Sequence, residues 1–99
     1  MRVAVELDPD VADEAPNVNA VTPYDEQHYV TYLRLLDANR DGAHWQEVAR
    51  IVLHRDPIAE KARSRRCWKS HLARVQWLSG SGYRRILEQA VAMAVRGGR

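Results

Sequence analysis

From Tyr24 onward the apolar side chains fall at helical spacing, and no segment there alternates as a paired strand would. Tyr29, Tyr32, Leu33 and Leu36 recur three and four apart, as do Trp45, Val48, Ala49, Val52 and Leu53. Trp68, Leu72, Val75 and Leu78 form a third set, and Tyr83, Ile86, Leu87, Ala90 and Ala94 a fourth. Only Val3, Val5 and Leu7 alternate, and one short strand has nothing to pair with. A chain of 99 residues has room for one small core. The expected fold is therefore all-α, a four-helix domain over residues 22–96 preceded by an acidic, flexible tail over residues 1–21.

Local signals set the boundaries. Thr22-Pro23-Tyr24-Asp25 reads as a helix start: Thr22 caps, Pro23 suits the first position, and Asp25 completes a capping-box-like pair. Asn39-Arg40-Asp41-Gly42 ends the first helix, and Asp56-Pro57 interrupts the chain after the second. Extending the Trp68–Leu72 stripe backward places Lys61 and Arg65 on it, which a buried face does not tolerate. The stretch 56–62 is thus expected to be a long turn or short helical piece, with the third helix starting near 61–64 and ending at Ser79-Gly80. The fourth begins around Gly82-Tyr83 and frays at Gly97-Gly98.

Several chemistries are excluded or weakened by spacing. Asp37-Ala38-Asn39-Arg40-Asp41-Gly42 opens like a calcium loop, but its twelfth position is Val48, where a bidentate glutamate is required. Glu47 stands one residue early, about 100° around the helix. Cys67 and His71 share a helical face, yet two ligands do not make a structural zinc site. A buried cysteine and a satisfied histidine account for them better than a nucleophile pair. Gly80-Ser81-Gly82 lacks the strand and lysine of a phosphate-cradling loop. No catalytic residue, metal, cofactor or small-molecule substrate is expected. No apolar run approaches a membrane span, and the acid within the first apolar patch argues against a signal peptide. The single cysteine fits a reducing cytoplasm.

Charge is divided along the chain. Residues 1–50 hold four basic side chains against ten acids, and residues 51–99 hold eleven against three. No acid occurs between Glu60 and Glu88, so the third helix has no internal ion pairs. Arg63, Arg66, Lys69, Ser70 and Arg74 fall opposite its apolar stripe. A face of one sign suits phosphates, and helix, helix, interrupted turn, basic helix is the order of a helix-turn-helix with an extended turn. The bland alternative is a solvated amphipathic helix. A second surface competes: Tyr24, His28 and Leu35 share a secondary stripe on the first helix, and Trp77 points away from the third helix's apolar face. Exposed, they would anchor a protein partner; otherwise the fourth helix or the tail covers them.

Particular strings then stand in a familiar order. They are Tyr32-Leu33-Arg34-Leu35-Leu36-Asp37, Trp45-Gln46-Glu47-Val48-Ala49-Arg50-Ile51-Val52-Leu53, Asp56-Pro57, Ser70-His71-Leu72-Ala73-Arg74, Trp77 and Gly82-Tyr83-Arg84. Over about residues 20–88 the chain resembles the bacterial family named after the DNA-binding domain of the regulator RovC. Leu7-Asp8-Pro9-Asp10 and Glu14-Ala15-Pro16 also resemble stand-alone members. The resemblance implies an extended-turn helix-turn-helix and control of conjugative-element transfer. In that family the domain either contacts DNA as the C-terminal half of an activator or, standing alone, captures the activator's partner domain. A chain beginning at Met1 with no second domain resembles the antiactivator arrangement, with a transcriptional activator protein as primary partner and double-stranded DNA as the alternative.

Overall fold

A reciprocal cap starts the helical part of the chain. The Thr22 hydroxyl accepts the Asp25 N–H at 3.2 Å, and the Asp25 carboxylate accepts the Thr22 N–H at 2.9 Å. A computed structural model describes residues 4–97. Its elements are α1 (Pro23–Gln27), α2 (Tyr29–Arg40), α3 (Trp45–Ile51), α4 (Lys61–Leu78), a π-helical turn (Ser79–Tyr83) and α5 (Arg84–Gly97). All regular structure among the described residues is helical. Met1–Val3, Gly98 and Arg99 lie outside them, and with them part of the Val3–Val5–Leu7 alternation and of the Gly97-Gly98 end.

The expected first helix is two helices. The chain turns at His28 (φ −102°, ψ 19°), whose N–H is shared between the Tyr24 and Asp25 carbonyls at 3.1 Å each. The His28 ring also bonds the Tyr24 carbonyl (2.7 Å), so the side chain competes for a backbone acceptor of the helix, and its other nitrogen bonds the Asp10 carbonyl (2.6 Å) of the N-terminal segment. α2 stops at Asp41, and Gly42 takes the left-handed conformation (φ 74°) that leads into α3. Nine residues, 52–60, join α3 to α4. The Asp56 carboxylate receives the Ile58 and Ala59 N–H groups at 3.0 Å each, and the Ser64 hydroxyl donates to the Asp56 carbonyl at 3.0 Å. These bonds fix the turn against the first turns of α4.

α4 lies at the centre, packed on α2 and α3, with α5 against α2. Tyr29, Tyr32, Leu35, Val48, Val52, Leu53, Cys67, Leu72, Val75, Leu78 and Leu87 form the core. The buried arc of α4 holds Ser64, Cys67, His71, Leu72, Arg74, Val75 and Leu78. It is therefore rotated from the expected stripe. Trp68 is only half-buried, at the edge, against Trp45 (ring centroids 6.2 Å apart). The rotation frees Lys61 and Arg65 from the buried side, so helix begins at Lys61 with both exposed. Ile86, expected inward, is 44% exposed.

Two polar networks cross the core. Arg74 is 5% exposed. Its guanidinium pairs with Asp25 through two bonds, of 3.0 and 2.7 Å, and donates to the Val18 and Ala20 carbonyls at 2.6 Å each. Tyr32 donates to Asp25 Oδ1, the oxygen that also receives the Arg74 Nε–H, at 2.7 Å. Burial alone would raise the Asp25 carboxyl, but its bonds to Arg74, Tyr32 and Thr22 hold it below the usual range. In the second network the His71 Nδ1–H donates to the Cys67 carbonyl (2.7 Å), and Nε2 accepts the Tyr24 hydroxyl (2.6 Å). Tyr24 Oη in turn accepts the Ala12 N–H at 3.0 Å.

Within the stretch expected as a flexible tail, residues 12–20 run as a strap along α4, and Glu6, Asp8 and Asp10 bond to Gln27, His54 and His28. Asp13 meets Arg63, Ala12 meets Cys67, Ala15 meets Ser70, and Val18 and Ala20 meet Arg74. The carbonyls and amides of an extended segment are satisfied by side chains spaced along one helix edge.

Burial pushes His71 down to about 4 from 6.5, against the opposing bond to the Cys67 carbonyl. The neutral imidazole is therefore the native form, while the unfolded chain takes up a proton from pH 6.5 downward. Stability is complete above pH 6.5 and falls by about 3 kcal/mol as the pH drops through 4. Urea unfolding at pH 7.5 and 4.5 checks this, and His71→Gln flattens the difference; equal midpoints for the native chain at both pH values would contradict it.

Candidate nucleic-acid interface

The arc of α4 opposite the core carries Ala62, Arg65, Arg66, Lys69, Ala73 and Gln76, all exposed and spaced three or four apart. This helix has 18 residues and is about 27 Å long, enough to lie along a major groove. Arg66 and Lys69 form no ion pair with any described residue. The Arg65 guanidinium sits 5.4 Å over the Trp45 ring, and the adjacent Trp68 ring supports that platform. Arg65 is thus steered to the same side as Arg66 and Lys69 while its charge stays unneutralised.

The five basic-face residues read from the sequence divide into two groups. Arg66 and Lys69 stand on the open face. Arg63, Ser70 and Arg74 lie along one edge of it, under the strap. Arg63 is 46% exposed but bonded to Asp13 (2.9 Å) and Glu60 (3.0 Å). The Ser70 hydroxyl accepts the Ala15 N–H (3.1 Å) and donates to the Cys67 carbonyl (3.1 Å). Arg74 is locked in the core pair with Asp25, and its assignment to a DNA contact is corrected: a guanidinium with every bond directed inward offers none to a phosphate. Arg65 replaces it. The sequence signal for Arg65 was present, since it shares the 62–66–69–73 stripe. It was assigned to the apolar side because the phase was anchored on Trp68.

The surface expected for a protein partner is largely inside the fold. His28 and Leu35 are each 1% exposed. Tyr24 is half-buried, stacked on His28 at 3.8 Å between centroids and hydrogen-bonded to His71. These three are corrected to packing positions, because the strap and α4 cover the stripe they share. Trp77 remains half-exposed. Arg74 stacks on it at 4.4 Å, and Tyr83 lies 6.0 Å away. It lines a groove of about 360 Å³ with Pro16, Val18, Ser70 and Ala73.

The Asp37–Gly42 loop pairs Arg40 with Asp37 and Asp41, each at 3.4 Å. No group of three His, Cys, Asp or Glu side chains among the described residues is arranged to hold a metal ion. No described helix is long and apolar enough to cross a membrane.

An all-helical domain with an unneutralised arginine and lysine face on its central helix has the makings of a DNA-binding module. The family model RovC_DNA-bd, described as "T6SS, Transcription factor, DNA binding domain", matches residues 1–94. The chain belongs to this family of transcription-factor DNA-binding domains, which is not an enzyme class. The match takes in the acidic strap as well as the helices. No curated protein matches the chain.

Removing one partner of a buried ion pair typically costs about 3–5 kcal/mol, whereas an exposed side chain without partners costs within about 0.5 kcal/mol. Arg74→Ala is therefore expected to unfold at much lower denaturant than the native chain, and Arg66→Ala and Lys69→Ala at the same concentration. Similar midpoints for all three would mean that Arg74 does not hold the core.

Proposed function

We propose that the chain is a transcription regulator that binds duplex DNA through the exposed face of α4, acting in the cytoplasm. In this reading α3 and α4 are the two helices of a helix-turn-helix with residues 52–60 as its extended turn. α4 enters the major groove. Arg66 and Lys69 meet base edges or phosphates first, Arg65 reaches a flanking phosphate from its tryptophan platform, and Gln76 and Ala73 face bases farther along. The observation that carries the reading is charge left unspent: Arg65, Arg66 and Lys69 share one face and form no ion pair with a described carboxylate. Mutual repulsion among them is relieved when phosphates arrive and counterions leave.

A second reading, capture of a transcriptional activator of a conjugative element, is supported by the groove beside Trp77. Its lining is mainly apolar, and Trp77 keeps part of its ring open there. An antiactivator would seat a partner side chain in that groove and tolerate reversal of the α4 charges.

Fluorescence anisotropy with labelled duplex DNA at 50 and 200 mM salt separates the two. For DNA binding, affinity is expected to fall by at least about tenfold across that range, the loss due to a few phosphate contacts. Arg66→Glu with Lys69→Glu abolishes binding, while Trp77→Ala leaves it intact. Salt-insensitive binding, or binding that survives the double reversal, would overturn the DNA reading. Absence of DNA binding together with an activator interaction lost in Trp77→Ala would favour capture.

A further inference from the structure

At the N-terminal end of α4 one carboxylate oxygen holds two guanidinium groups. Asp13 Oδ1 lies 2.7 Å from Arg55 Nη1 and 2.9 Å from Arg63 Nε. Each arginine is pre-positioned by a further bond: Arg55 Nη2 donates to the Val11 carbonyl at 2.6 Å, and Arg63 Nη1 to Glu60 at 3.0 Å. Two convergent guanidinium groups with spare N–H donors are a binding site for a tetrahedral oxyanion. Asp13 and Arg63 are both 46% exposed, so the contact is open to exchange with solvent anions. The site also borders the Arg66–Lys69 face, on the edge along which the strap runs.

We propose that Arg55 and Arg63 form a phosphate site for the DNA backbone, and that the chain's own Asp13 carboxylate occupies it when DNA is absent. The inference rests on the DNA reading of α4 and adds regulation to it. Asp13 and the neighbouring exposed Glu14 place negative charge beside the face that meets DNA. A backbone phosphate arriving there displaces the carboxylate and takes both arginines, freeing the Asp13 side chain while the Ala12 and Ala15 bonds on either side of it hold. The rest of the strap stays anchored by Arg74 through the Val18 and Ala20 carbonyls. Consistent with direct competition, Arg63 first and Arg55 second hold the Asp13 carboxyl below the usual carboxylate range, so it stays charged at neutral pH.

The test uses the full chain and two probes. With duplex DNA, Asp13→Asn is expected to tighten binding about threefold to fivefold, the equivalent of one exposed ion pair no longer to be broken. It also steepens the salt dependence by about one phosphate contact. The gain disappears in Asp13→Asn combined with Arg63→Ala. Glu14→Gln, which removes the same charge one residue away, is expected to give a smaller gain. An equal gain from Glu14→Gln would mean that only overall charge matters, and would overturn the proposal. So would an unchanged or weaker Asp13→Asn. Inorganic phosphate, followed by amide chemical shifts of residues 10–15 and 63, reads the site without DNA. Asp13→Asn is expected to saturate at about threefold to fivefold lower phosphate than the native chain, and Arg63→Ala not to saturate. If the native chain binds no DNA, the proposed function fails and the phosphate titration still decides whether the site exists. If DNA binds and phosphate shifts none of these amides in Asp13→Asn, the site fails and the DNA reading stands.

Discussion

The Arg74 guanidinium bonds to groups from two other parts of the chain at once and draws all three together. It projects from α4, closes on the Asp25 carboxylate that caps α1, and gathers the Val18 and Ala20 carbonyls of the strap. Asp25 is itself used on every side, by the Thr22 N–H, the Tyr32 hydroxyl and the arginine. A charge pair removed from water repays its desolvation only when its remaining hydrogen-bonding capacity is met. Here four of the five guanidinium N–H donors and both carboxylate oxygens are bonded. The pair fixes the angle at which α1 leaves the strap, the register of the strap along α4, and through that register where Asp13 and Ala15 fall.

Because of that register, the first half of the chain is structural where it looks solvent-like. An acidic segment punctuated by Pro9 and Pro16 has the composition of a tail. It is held because long basic and polar side chains on α4 and the α3–α4 turn (Arg55, Arg63, Ser70 and Arg74) reach across to backbone carbonyls, an amide and one carboxylate. Such partners leave no trace in hydrophobic periodicity, since the groups they satisfy belong to the backbone of any residue type. The division of charge between the two halves of the sequence reflects this in part. Some of the negative half folds onto the positive half and is neutralised there.

Much of the helical plan was legible: the Thr22–Asp25 cap, the stop before Gly42, the long turn after Asp56, and the limits of α4 near Lys61 and Ser79. Each is set by local chemistry that acts within a few residues. The phase of α4 was legible in part: Leu72, Val75 and Leu78 are buried as expected, as are Cys67 and His71, but Trp68, the largest apolar residue there, takes the margin and not the centre. In the fold a small buried set (Ser64, Cys67 and His71) takes that place, since α2, α3 and the strap crowd the helix on that side and leave the wide indole to the margin with Trp45. Centring the stripe on Trp68 carried Arg65 inward and Arg74 outward. His28 and Leu35 were misplaced for a related reason: the first helix looked one-sided, but with strap and α4 both packed on it, it is covered on two.

The correction sharpens the electrostatics of α4. Counted along the sequence, its basic residues are one population. In space they divide: Arg74 is sealed inside, Arg63 shares a carboxylate with Arg55 at the edge, Lys61 is exposed at the helix start, and Arg65, Arg66 and Lys69 face solvent with no ion pair to a described acid. A fold that needed cations only for its own cohesion would have no use for Arg65, Arg66 and Lys69, which repel one another and form no ion pair among the described residues. Their placement beside small Ala62 and Ala73 leaves a surface that a close-approaching polyanion would neutralise, and small side chains let the helix backbone sink toward a groove floor. The acids that could have quenched this face lie on the strap, one helix edge away, where they neutralise the arginines at the margin and leave the centre of the face open.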